Sequence, residues 1–155
     1  MTEHQVLKAR LRTDLNAAMR ARDEVRKSTI RMALSAITNE EVSGKAAHEL
    51  SDDEIVKVLA REAKKRREAA EAFESAGRPE QAAAERAEGD VLAEYLPRQL
   101  SDEELVQMVA AAIATTGASG ASAMGQVMKA VTPQVAGRAD GSRVAAEVRR
   151  QLASA

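Results

Sequence analysis

The stretch Glu94-Tyr95-Leu96-Pro97-Arg98-Gln99-Leu100-Ser101-Asp102-Glu103-Glu104 decides how this chain is read. Pro97 has no N–H to donate and pushes Leu96 out of the α region, so a helix arriving from the N-terminal side ends here. Ser101, followed three residues later by Glu104, is a capping box, in which each side chain satisfies a backbone donor of the first turn of a new helix. The stretch is a seam. It divides the chain into an N-terminal helical domain, residues 1–96, and a small C-terminal domain, residues 98–155, with Pro97 and Ser101 as the structural residues that orient one against the other. A proteolytic cut or a hinge motion is expected at Pro97–Leu100.

Working upstream, Leu7, Leu11, Leu15, Ala18 and Met19 recur at helical spacing and predict an amphipathic helix over about 3–22. Asp23 ends it and caps the next, which runs from Val25 to about Val42. There Val25, Thr29, Met32, Ala33 and Ala36 form one stripe and Ile30, Leu34 and Ile37 a second beside it, a face broad enough for burial against more than one neighbour. With almost no linker between them, these two helices are expected to form an antiparallel hairpin. Residues 43–50 have no period and read as a loop. Ser51-Asp52-Asp53-Glu54 is a second capping box, opening a helix through Ile55, Leu59, Ala63, Ala70 and Phe73. Gly77 suits a left-handed helix end and Pro79 a first turn, so a fourth helix follows from Pro79 to about Leu96.

Downstream, Leu105, Met108, Val109, Ala112 and Ile113 trace a helix that the loop around Gly117 and Gly120 terminates. Ser122 is placed as the cap of a short helix carrying Met124, Val127, Met128 and Val131, which Thr132-Pro133 stops. Gly137-Arg138-Ala139-Asp140-Gly141 reads as a turn whose Asp140 caps a last helix on Val144, Val148 and Leu152. No strand signal or repeat interrupts this series. The fold class is therefore all-α, an N-terminal four-helix region followed by a three-helix module.

Composition agrees. With 155 residues, 45% hydrophobic and 30% charged, but one Tyr, one Phe and no Trp, the cores must be aliphatic, which favours helices. The absence of cysteine excludes disulfides, thiolate metal sites and thiol catalysis, and points to a reducing, cytoplasmic address. Met1-Thr2-Glu3-His4-Gln5 has no basic region followed by an apolar run, and the apolar run Met108 to Ala114 is too short to span a bilayer, so no membrane partner is expected. The net charge of −1 is unevenly spread. Residues 1–31 hold eight basic and four acidic groups, whereas residues 79–94 hold only Arg86 against five carboxylates. This asymmetry is read as complementary or solvated surfaces in preference to a nucleic-acid footprint on the first helix.

Candidate chemistry is sparse. Lys57, Arg61, Lys64, Lys65, Arg66 and Arg67 could bind phosphates, but Glu62–Arg66, Lys64–Glu68 and Arg67–Glu71 are i,i+4 pairs, so the cluster is read as a salt-bridged, solvated face. His4 and His48 have no second ligand at metal spacing, and no metal or cofactor is expected. The carboxylates of Asp52, Asp53, Glu54, Asp102, Glu103 and Glu104 sit in first turns of helices, where helix polarity explains them. No serine has a nucleophile-elbow setting, and the glycines match neither a Walker loop nor a Rossmann fingerprint, so no catalytic residue is assigned. From Met124 onward, Lys129, Arg138, Arg143, Arg149 and Arg150 face only Asp140 and Glu147, a local +3. Such a surface either holds a phosphate backbone or is ordinary solubilising charge beside a capped turn.

Several stretches carry a family resemblance. They are Ser28 to Ile37 (STIRMALSAI), the stretch from Glu62 through Ala72-Phe73-Glu74-Ser75-Ala76-Gly77-Arg78, the seam Glu94 to Leu100, Met124-Gly125-Gln126-Val127-Met128-Lys129, and Gly137-Arg138-Ala139-Asp140-Gly141. Together, in order and at matching spacing, they resemble the stand-alone GatB/YqeY family over almost the whole chain. The resemblance implies a C-terminal module similar to the tail of the B subunit of the glutamyl-/aspartyl-tRNA amidotransferase, a tail that helps to hold tRNA. The positions matching the shared motif are Gly125, Lys129, Gly137, Arg138, Ala139, Asp140 and Gly141. Lys129 and Arg138, with Arg143 beside them, are then expected to reach phosphates, Gly125 to permit close helix approach and Asp140 to cap. The catalytic body of that subunit is absent here, so a carbon–nitrogen ligase activity with glutamine as amido donor would be a label inherited through the tail. The expected function is a non-catalytic module binding tRNA or a tRNA-handling enzyme. The alternatives are a scaffold acting through the N-terminal helices and an accessory to amide transfer.

Overall fold

The structure is a computed structural model that describes residues 6–135 and 137–154. His4 and the expected first turn of the first helix lie outside the described residues. Among those residues the chain is all-α: α1 (Val6–Ala21), α2 (Glu24–Val42), α3 (Asp52–Ser75), α4 (Pro79–Ala93), α5 (Asp102–Thr116), a 3₁₀ turn (Ala121–Ala123), α6 (Met124–Val135) and α7 (Gly141–Ser154). The chain falls into two compact units, Met1–Leu96 and Pro97–Ala155, each with its own aliphatic core.

In the N-terminal unit, Leu11 of α1, Ile30, Ala33 and Ile37 of α2, Ile55 and Leu59 of α3, and Leu92 and Tyr95 at the end of α4 converge on one core. The α1–α2 hairpin is antiparallel, for Lys8 meets Glu41 at one end and Arg31 meets Met19 at the other. Its turn forms as expected, with the Asp23 carboxylate accepting from Arg26 N at 3.1 Å. The loop to α3 is fastened from inside. Glu41, buried on α2, accepts from Lys8 Nζ at 2.7 Å with one oxygen and from the Leu50 N–H at 3.1 Å with the other. Asp52 serves two helix starts at once: it lies in the first turn of α3, and its Oδ1 accepts from Leu7 N at the start of α1, 3.1 Å away.

The α3–α4 connection turns at Gly77, whose φ of +73° is costly for any residue with a Cβ, and Pro79 opens α4. α4 ends at Ala93, earlier than expected. Residues 94–96 tighten into i→i+3 turns that bring Tyr95 into the core, where its hydroxyl donates to Asp14 and Arg10 lies 4.5 Å above its ring. The basic face expected on α3 is only partly solvated. Arg66 does lie 3.8 Å from Glu62, but its Nε lies 2.8 Å from Glu88 and 3.7 Å from Glu85, so it is a bridge between α3 and α4.

The second unit departs from expectation in three places. Ser122 does not cap α6; it sits inside the 3₁₀ turn that starts from Gly120. Thr132-Pro133 does not stop α6, which continues to Val135. Pro133 removes one ladder bond, but Val127, Val131 and Val135 form one buried row that holds the last turn, and Thr132 Oγ1 donates to the Met128 carbonyl at 2.7 Å. Gly125 does not serve close helix approach, since it is exposed and a Cβ there would meet nothing within 4 Å. The α5 capping box is formed in both directions, and Gly117 closes that helix at φ +66°.

Candidate nucleic-acid interface

The segment Arg98–Leu100 is built into the C-terminal unit. Leu100 is buried in its core, the Leu100 N–H donates to the Arg138 carbonyl at 2.8 Å, and Gln99 Nε2 donates to the Gly137 carbonyl at 3.1 Å. Arg138 completes the strap by donating from Nε to the Arg98 carbonyl at 3.1 Å, while its Nη2 lies 3.8 Å from Glu104. The sequence motif Gly137–Gly141 is therefore the loop that receives the start of this unit. Gly137 turns it at φ +79°, and the Asp140 carbonyl accepts from Val144 N as α7 begins at Gly141.

The carboxylates at the start of α5 occupy most of the neighbouring cations. Arg98 grips Glu104 through two donors, at 2.9 and 2.8 Å. With the Ser101 N–H and hydroxyl donating as well, Arg98 lowers the Glu104 carboxyl to about 2. Arg143 donates to Asp102 Oδ1 at 2.7 Å. Arg150 makes a two-donor contact with Glu147, at 3.0 and 2.6 Å, and holds that carboxyl below its usual range with help from Gln151. The local +3 counted from Met124 onward thus belongs to a unit that also contains Arg98 and three α5 carboxylates. The unit as a whole has six basic and five acidic groups, a net charge of +1.

Two cations stand apart. Lys129 is exposed on the outer face of α6, opposite the buried Val127–Val131–Val135 row, and makes no ion pair among the described residues. Arg149 is exposed on α7, again without an ion pair among the described residues. On that helix Arg143 and Gln151 reach Asp102 and the Val106 carbonyl of α5, while Arg149 projects from the opposite flank. Of the three cations expected to meet phosphates, then, Lys129 is available, whereas Arg138 and Arg143 are engaged in holding the unit together. Arg149 was not singled out by sequence. Its signal was there in the spacing: Arg150 is three residues from Glu147 and pairs with it, whereas Arg149 is two residues away and cannot face it.

The chain is all-helical among the described residues, its C-terminal unit presents cations on its outer helices, and no group of three or more His, Asp or Glu side chains is placed to hold a metal among those residues. The family model described as Yqey-like protein matches residues 8–152, and the chain belongs to that family. A relative from Clavispora lusitaniae (strain ATCC 42720), named altered inheritance of mitochondria protein 41, mitochondrial, is 36% identical over 97 residues, which is 61% of this chain and 55% of the relative. The match therefore spans about half the length of that protein. Among the described residues, no single helix is long and apolar enough to cross a membrane.

Proposed function

We propose that this YqeY-family protein is a non-catalytic tRNA-binding module and that its C-terminal unit makes the contact. The observation that carries the reading is the pair of exposed cations, Lys129 and Arg149, left unneutralised in a unit whose other arginines are occupied by its own carboxylates. A cation already paired gains little by exchanging a carboxylate for a phosphate, whereas an unpaired one releases the phosphate's counterions. The resemblance of this unit to the amidotransferase tail supports tRNA as the RNA in question. Arg138 and Arg143 then act indirectly, by fixing the loop before α7 and the start of α5. The reading includes the cytoplasmic address, which fractionation tests directly.

The experiment compares two double variants in a tRNA binding assay at low salt. Lys129→Gln with Arg149→Gln is expected to weaken binding about tenfold and to reduce the salt slope by about 1–2, with unfolding unchanged. Arg138→Gln with Arg143→Gln is expected to lower stability and to leave the salt slope of the remaining folded protein near that of the parent. Equal binding by the parent and the Lys129/Arg149 variant would contradict the assignment.

A further inference from the structure

The outward face of α2 has a pattern that the tRNA reading does not use. Val25, Ser28, Met32, Ser35, Asn39 and Val42 are all exposed, and their spacing of 3, 4, 3, 4, 3 places them in one heptad seam along the helix. No charged residue interrupts it, in a chain that is 30% charged. Three of the six large hydrophobic residues exposed among the described residues lie on this line, Val25 at 45%, Met32 at 41% and Val42 at 59%. The helix already buries its other side through Ile30, Ala33 and Ile37, so it has two seams; on the outer one the Arg66 guanidinium of α3 reaches the Met32 sulfur at 3.7 Å, and all six residues of the line stay exposed.

We infer that this seam pairs with the same seam of a second copy, the two α2 helices running antiparallel about a two-fold axis between Met32 and Ser35. The residues themselves favour a copy over an unrelated helix, because the seam is complementary to its own reverse. In that register Met32 of one copy sits over the small Ser35 of the other, Ser28 meets Asn39 as a donor–acceptor pair, and Val25 meets Val42 at each end. The flanking positions bring no like charges together. On one side Thr29 is buried and Ala36 half-buried within the chain, and on the other the exposed Arg31 comes opposite the exposed Thr38. A parallel pairing would instead stack Met32 on Met32 and Ser28 on Ser28, losing the fit of large against small. At 19 residues the helix is about 28 Å long, so a seam of this length alone gives a weak, concentration-dependent dimer.

Because the chain has no cysteine, introduced thiols report pairing cleanly. Val25→Cys and Val42→Cys proteins, oxidised as a mixture at high protein concentration, are expected to give a mixed disulfide dimer several-fold more abundant than either protein gives alone. The mixed dimer should also exceed that from Val25→Cys with the exposed off-seam Glu71→Cys. In parallel, sedimentation of the parent is expected to show a concentration-dependent dimer that Ser35→Arg abolishes without loss of helicity. Efficient cross-linking of each variant with itself would overturn the antiparallel register. A parent that stays monomeric at every concentration, with no excess of the mixed disulfide over the off-seam control, would overturn the dimer.

Discussion

The most consequential single residue in the N-terminal unit is Glu41. Desolvation pushes its carboxyl upward, but the Lys8 ammonium and the Leu50 N–H more than offset this, and the group stays below its usual range. Removing Lys8 alone would leave that carboxylate buried and unpaired. Lys8→Met is therefore expected to cost about 3 kcal/mol in urea unfolding, whereas Lys8→Met with Glu41→Gln should recover most of it, since Gln keeps an oxygen for the Leu50 N–H. Equal losses in the single and double variants would show that the pair is not the fastener proposed. Glu41 was not legible in the sequence as a buried group. It stands beside the exposed Val42 in a run that ends Asn39-Glu40-Glu41-Val42, and its partners come from Lys8 of α1 and from the loop returning to Leu50, neither of them local in sequence. Arg22 is a second residue of this kind, a non-glycine with φ +56° after α1. Arg22→Gly is expected to stabilise the protein by up to about 1 kcal/mol, read from thermal unfolding, because the left-handed conformation costs a side chain more than it costs glycine.

At the scale of the element, the helices were readable wherever the signal was local. Both capping boxes, the Asp23 cap, the Gly77 turn and the Gly117 stop depend on residues within one turn of each other, and all are formed. Errors arose where tertiary contacts outweighed the local rule. Pro133 sits inside α6 because buried valines hold the turn around it, and Ser122 lost its expected capping role to a 3₁₀ turn that buries Ala123. The broad apolar face of α2 suggests burial against more than one neighbour; Thr29, Ile30, Ala33 and Ile37 are buried, whereas Val25 and Met32 are exposed. The α5 box yields a pH prediction. Glu104 is held near 2, far below the range of an unfolded glutamate, so its contribution is complete above that unfolded range and is lost as pH falls towards 2. Acid unfolding of the C-terminal unit should accordingly be less steep between pH 5 and 2 for Glu104→Gln than for the parent. Ser101→Ala should cost about 1 kcal/mol at neutral pH.

At the scale of the whole molecule, the charge of −1 conceals two units of different sign. The C-terminal unit carries +1, leaving seventeen basic and nineteen acidic groups, a net −2, for residues 1–96. The candidate site was half legible at this scale. The sequence shows a basic tail and names Lys129, Arg138 and Arg143 as phosphate contacts, of which Lys129 is exposed, but it could not show that Asp102 and Glu104, remote in sequence, would occupy Arg143 and approach Arg138. Those pairings need the helix packing, and they shift the expected phosphate contacts towards Lys129 and Arg149. The most direct measurement is the affinity of the intact protein for tRNA across a salt series. The account predicts binding at low ionic strength that falls steeply and log-linearly as salt rises. Absence of binding at the lowest salt, or an affinity that does not change with salt, would contradict it.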